Sequence, residues 1–140
     1  MFVQLSGAVL GVWAANYMFE LPILMTSRHL RTGGAQWASE ALATGGLLAV
    51  IFGVARSRPG SVPYAVGAYI TAAYWFTSST SFANPAVTIA RALTDTFAGI
   101  RPQDVPGFLL AQALGALIAI FLSGWLFPSV PKTRPGGEGR

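Results

Sequence analysis

The sequence predicts an all-α membrane protein with four transmembrane helices and one re-entrant half-helix. Hydrophobic residues make up 53% of its 140 positions and charged residues only 10%, whereas about a quarter of the residues of a soluble domain are charged. The charges leave four uncharged stretches, at 1–19, 41–55, 59–90 and 105–131. Because a helix needs about 20 apolar residues to cross a hydrocarbon core of roughly 30 Å, these stretches predict membrane spans.

The first two spans are separated by a polar hinge. Span one covers about 2–21 and ends before Pro22, which cannot continue a helix. No basic residues precede it and no cleavage pattern follows it, so we interpret it as a retained membrane helix and not as a signal peptide. The hinge at 26–35 leads into span two, about 36–55, which carries the carboxylate Glu40 in its first half.

The later spans follow a turn at 56–63 that is rich in Pro and Gly. Span three is predicted over about 64–77 and span four over about 105–127. Small residues four positions apart on span four, such as Ala111 and Gly115, predict that it approaches another helix closely.

A short helix is predicted to begin inside the membrane, between spans three and four. A polar cluster at 77–81 interrupts the uncharged stretch, and Asn84 followed by Pro85 is typical of a helix start. The helix is expected over about 85–97, a length of about 20 Å, which is less than a bilayer. Since unpaired backbone at that depth requires a cavity or surrounding protein, we predict a re-entrant helix whose N-terminus faces water.

Glu40 is an ionisable residue within a predicted span, where an unpaired charge costs several kcal/mol. We therefore expect its carboxylate to face the protein interior and to accept hydrogen bonds from backbone N–H groups of the 77–83 loop. The alternative is a lone carboxylate near its helix end at the membrane interface.

Other classes of protein fit the sequence poorly. The formal charge is +4, but the nine basic residues are scattered over loops, which indicates solvated loop ends near anionic lipid headgroups and no nucleic-acid partner. There is no cysteine, and His29 has no metal-ligand spacing, so neither a metal nor another cofactor is expected. Paired carboxylates and Ser-His or Cys-His arrangements are missing from the sequence, which argues against an enzyme.

The Asn84-Pro85-Ala86 half-helix, the polar cluster before it and the membrane carboxylate Glu40 resemble the C-terminal half of the major intrinsic protein family, the aquaporins and aquaglyceroporins. The resemblance covers about 2–127. It implies that the four spans match the family's third to sixth membrane helices, within one half of an inverted-repeat bundle.

The resemblance also implies a role for particular residues in a pore. Asn84 would donate hydrogen bonds to the permeating molecule, the alternative being that it serves only as a helix cap, and the filter positions would be Ala72, Ser81 and Val87. Family members usually have Arg where this chain has Val87, so a wider and more apolar filter is expected, and similar Val-bearing motifs are associated with metalloid-permeable bacterial channels. Arg91, one turn beyond Val87, would supply the electrostatics of the outer mouth, unless it pairs with Asp95.

Family members carry two such motifs, whereas this sequence has one. The expected partners are therefore a separate second half-channel or another copy of the chain, together with membrane lipid, water and small neutral solutes such as glycerol or arsenous acid. The alternatives are a truncated gene and a non-conducting structural partner of a full-length channel. The resemblance implies a multi-pass protein of the inner plasma membrane, with a membrane domain at 1–128 and a disordered cytoplasmic tail at 129–140.

Overall fold

The computed structural model describes residues 2–126, and these residues form helices with no β-strand. The predicted tail at 129–140 lies outside the described residues. The α-helices are α1 (Phe2–Met18), α2 (Gly34–Ser57), α3 (Val62–Phe76), α4 (Pro85–Ala90) and α5 (Val105–Leu126), and short 3-10 helices cover Pro59–Ser61, Arg91–Leu93 and Pro102–Asp104.

Two helical segments are long and apolar enough to cross a membrane. They are Gly34–Ser57, with 24 residues, and Pro102–Leu126, with 25 residues, and they correspond to predicted spans two and four. Helix α1 has 17 residues and α3 has 15, which gives lengths of about 26 Å and about 23 Å. The all-helical class and two membrane-length helices are thus confirmed.

Helices α2 and α5 are in close contact, and α2 also packs against α3. A Cβ atom added to Gly115 of α5 would collide with the backbone carbonyl oxygen of Ala41 in α2, so the two backbones meet at this point. Ala111 and Ala119 are buried on the same helix. This confirms the close approach that the small residues of span four predict.

Helix α1 packs instead against α4 and the 3-10 turn that follows it. The amide of Asn16, which is 2% exposed, makes this contact. Its Nδ2 donates to the carbonyl oxygen of Leu93 at 3.1 Å, and its Oδ1 accepts from the hydroxyl of Thr94 at 2.7 Å. A buried polar pair thus joins α1 to the end of the short helical segment.

The short helix ends earlier than predicted, since the chain leaves the helical conformation at Thr94 (φ −142°, ψ 125°) and not after residue 97. Two contacts account for the difference. Asn16 holds the Thr94 hydroxyl, and the carbonyl of Arg91 accepts from the N–H of Ile100 at 3.2 Å. These long-range bonds use groups at the helix end, and the helical segment spans about 15 Å.

Candidate functional site

The N-terminus of α4 is capped by Asn84, as the Asn-Pro pair predicts. The side-chain oxygen of Asn84 accepts from the N–H of Ala86 at 2.8 Å and from that of Val87 at 3.4 Å. Pro85 occupies the first helical position, where no N–H is needed. Within the described residues, Asn84 Nδ2 has no hydrogen-bond partner, so the amide caps with its oxygen and keeps two N–H donors free.

The loop before α4 is held in a strained conformation. Thr80, Ser81 and Ala83 have φ values of 58°, 48° and 48°. This left-handed region costs a residue with a Cβ atom about 1–2 kcal/mol. Such a loop persists only where its surroundings determine its shape.

Glu40 of α2 holds the loop in this conformation. Its side chain is fully buried, and its Oε1 accepts from the N–H of Ala83 at 2.6 Å, while Oε2 accepts from that of Phe82 at 3.2 Å. The contact expected from the sequence, between this carboxylate and the amides of the loop, is present. The alternative of a lone interfacial carboxylate is wrong for this structure.

Gln112 of α5 extends this network, and sequence analysis missed it. Its Nε2 donates to Glu40 Oε1 at 2.8 Å and to the hydroxyl oxygen of Thr88 at 2.7 Å. Thr88 in turn donates to the carbonyl of Asn84 at 2.9 Å. A buried polar chain therefore joins the carboxylate to the start of α4. The available signal was an isolated amide in an otherwise strongly apolar span.

A cavity of about 470 Å³ opens between α1 and α4. The polar residues that bear on its chemistry are Asn16 of α1, Tyr74 of α3, Arg91 of the 3-10 turn and Thr94 directly after that turn. Val87 also lines the cavity, one turn before Arg91 on the same face of the helical segment, as their spacing predicts. The structure thus brings these two predicted site residues to one space.

Arg91 lies against an aromatic ring. Its guanidinium carbon is 4.3 Å from the centroid of the Phe82 ring, within the range of a cation–π contact. One terminal nitrogen, Nη1, is buried without a hydrogen-bond partner among the described residues. The ion pair between Arg91 and Asp95 that the sequence allowed is not found among the described residues, and Asp95 accepts from the backbone N–H of Arg28 at 2.7 Å.

The other two predicted filter residues do not line this cavity. Ala72 lies on an exposed part of α3. Ser81 is 3% exposed, and its hydroxyl oxygen has no partner within the described part of the chain. The assignment of both residues to a filter remains a prediction.

Arg31 departs from the expectation that the basic residues are solvated loop ends, because it is only 2% exposed. The pKa of Arg31 is lowered to about 10, mainly by burial and to a smaller extent by repulsion from Arg91. The guanidinium is therefore still charged at neutral pH. The pKa of His29 is also lowered, mainly by burial and to a smaller extent by the nearby positive charge of Arg31. Among residues 2–126, the acidic and His side chains form no group of three or more that would hold a metal ion.

Comparison with known proteins gives one informative similarity. The chain is 52% identical over 136 residues to the aquaglyceroporin AqpS of Rhizobium meliloti (strain 1021), an alignment that covers 94% of this chain and 58% of that protein. The chain therefore spans less than two thirds of the length of this relative. No protein-family model matches the chain, and no solved structure matches it.

Proposed function

Because this chain matches part of an aquaglyceroporin, a channel of the major intrinsic protein family, we propose that it is one half of a channel for water and small uncharged solutes. The solutes are of the size and polarity of glycerol or arsenous acid. In this proposal α1, α2, α3 and α5 cross the membrane. The segment that contains α4 enters the membrane from one side and returns to the same side.

The capped start of α4 is the observation that carries this proposal. Asn84 keeps its amide N–H groups free, and the helix end contributes a partial positive charge in the same place. Such a site favours the oxygen lone pairs of water and hydroxyl groups and disfavours cations. Glu40 holds the preceding loop so that Asn84 keeps this position.

In this proposal, Val87 and Arg91, which follow the Asn84-Pro85-Ala86 motif, and Ala72 and Ser81, which precede it, set the width and charge of the filter. Val87 presents an apolar side chain to the cavity, and Ala72 and Ser81 are the small residues expected to complete the constriction. Arg91 places a cation at the same cavity, where it discourages the passage of other cations. This combination suits neutral hydroxylated solutes larger than water.

The proposed partner is a second half-channel, either a separate polypeptide or another copy of this chain. Support comes from the many large apolar side chains that remain exposed on α1, α3 and α5, such as Phe2, Trp75 and Phe121. Lipid covers part of this surface and the partner covers the rest. We place the assembly in the inner plasma membrane, with the tail at 129–140 in the cytoplasm.

Vesicles that contain this chain, together with the portion of the Rhizobium aquaglyceroporin that it does not match, test the proposal. We expect glycerol flux above that of empty vesicles. Val87→Arg should lower this flux by about tenfold or more, because it adds a bulky cation to the constriction. Val87→Ala is the matched control, since it changes the same position without adding charge, and it should not lower the flux.

Two results would count against this function. Absence of flux with and without the added portion would favour a non-conducting membrane protein. Flux that Val87→Arg leaves unchanged would remove Val87 from the filter.

A further inference from the structure

Arg31 is a buried cation in the segment that connects α1 and α2. Its guanidinium makes hydrogen bonds to three backbone carbonyls: Nε donates to Gly99 at 2.6 Å, Nη1 to Ser79 at 3.0 Å, and Nη2 to Phe97 at 2.7 Å. Hydrogen bonds from a charged donor are about twice as strong as neutral ones. The rigid fork of the guanidinium suits three carbonyls in different directions, and a Lys ammonium cannot reproduce that geometry.

These carbonyls belong to chain segments on both sides of α4. Ser79 precedes the helix, in the strained loop, and Phe97 and Gly99 follow it. The guanidinium carbon also lies 4.9 Å from the centroid of the Phe82 ring, the ring that Arg91 contacts. A single side chain therefore ties together both ends of the segment that carries Asn84, Val87 and Arg91.

The backbone around Arg31 is itself fixed. Its N–H donates to Asp104 Oδ2 at 2.9 Å, and Asp104 Oδ1 pairs with Arg101 at 2.8 Å. In addition, the N–H of Arg101 donates to the carbonyl of His29 at 2.8 Å. The Arg31 side chain is thus anchored at its base as well as at its tip.

Within residues 2–126 no carboxylate forms a direct ion pair with this guanidinium, and the charge of Glu40 acts on it only from a greater distance. The direct partners of the guanidinium N–H groups are the three carbonyl oxygens. Substitution of Arg31 would remove the donor from two buried carbonyls, those of Ser79 and Gly99, and from the partly buried carbonyl of Phe97, and it would free the two segments to move apart.

We propose that Arg31 is a positioning residue that fixes the segments on either side of α4 and thereby sets how open the cavity is beside Val87. The consequence for solute selectivity rests on the proposed channel function. The effect on the cavity does not, because it concerns the folded chain alone.

Single-cysteine labelling tests this inference without transport. The chain contains no cysteine, so Val87→Cys introduces one thiol at the cavity. In the full chain, reconstituted in lipid nanodiscs, we measure the rate at which a small water-soluble methanethiosulfonate modifies this thiol. Arg31→Gln should raise the rate by about tenfold, and Arg31→Lys should raise it by a smaller factor because the charge is kept but the fork is lost.

Arg28→Gln is the matched control, since Arg28 lies on the same connecting segment but is exposed, and only its backbone N–H makes a hydrogen bond. It should leave the labelling rate unchanged. Helix content and a single elution peak show whether each variant folds. If Arg31→Gln does not fold, Arg31→Lys decides the matter. A folded Arg31 variant that labels at the parent rate would overturn the proposal.

Flux measurements then separate this inference from the proposed function. If the parent conducts, Arg31→Lys should change the ratio of glycerol to water flux, whereas a lower amount of folded protein would reduce both fluxes in proportion. If the parent does not conduct but labelling responds to Arg31, the channel proposal fails and the positioning role stands. If the parent conducts and labelling is the same in folded Arg31→Lys, the positioning role fails alone.

Discussion

The α2–α5 contact and the segment around α4 are held together by different forces. Where α2 meets α5, backbones touch through Gly45, Gly115 and small neighbours, and shape decides the contact. Around α4, buried polar groups join residues far apart in sequence, such as Glu40 with Ala83 and Arg31 with Gly99. We therefore expect the first region to be sensitive to added volume and the second to be sensitive to the loss of buried hydrogen bonds.

Glu40→Ala should produce the largest effect, because it leaves the N–H groups of Phe82 and Ala83 buried without their acceptor and removes one of the two acceptors of the Gln112 amide. We expect the free energy of unfolding to fall by about 3–5 kcal/mol. The midpoint of thermal unfolding in detergent measures the change. Glu20→Gln, at an exposed carboxylate, is the control and should change little. An equal effect of both variants would show that the polar network is not what stabilises the α4 segment.

Gly115→Ala should have the next largest effect, on the region governed by shape. The added Cβ would collide with the carbonyl oxygen of Ala41, and overpacking of this kind costs about 1–3 kcal/mol. The same thermal measurement applies. Gly124→Ala, on the same helix with nothing within 4 Å of its added Cβ, should be neutral or slightly stabilising. If Gly115→Ala proves as harmless as this control, α2 and α5 do not meet as closely as described.

Substitutions at Asn84 should have the smallest effect on stability, and they sharpen the comparison by separating a structural role from a functional one. Asn84→Ala removes the cap and should cost about 1 kcal/mol. Asn84→Ser keeps a capping oxygen but has no amide N–H groups, so its thermal midpoint should stay close to that of the parent. Under the proposed function, glycerol flux should fall in both variants. Normal flux in Asn84→Ser would show that the amide donors are not used.

Several elements could be predicted because their signals are local. Long uncharged stretches predict apolar helices, and Asn-Pro predicts a capped helix start at residue 84. Glu40 could be placed inside the protein because a lone carboxylate in a span is expensive. Small residues at Ala111 and Gly115 predict close packing. Each of these inferences needs only neighbouring residues and the properties of the membrane.

Other features were decided by the tertiary structure alone. The end of the short helix depends on Asn16, 78 residues before Thr94. The link from Gln112 to Glu40 spans 72 residues, and the burial of Arg31 depends on carbonyls up to 68 residues away. A sequence pattern reports how residues alternate along one helix, but it does not report which distant backbone group a polar side chain reaches. The choice among possible partners is made only when the helices pack, because a buried donor must then bond to whichever acceptor lies within about 3 Å.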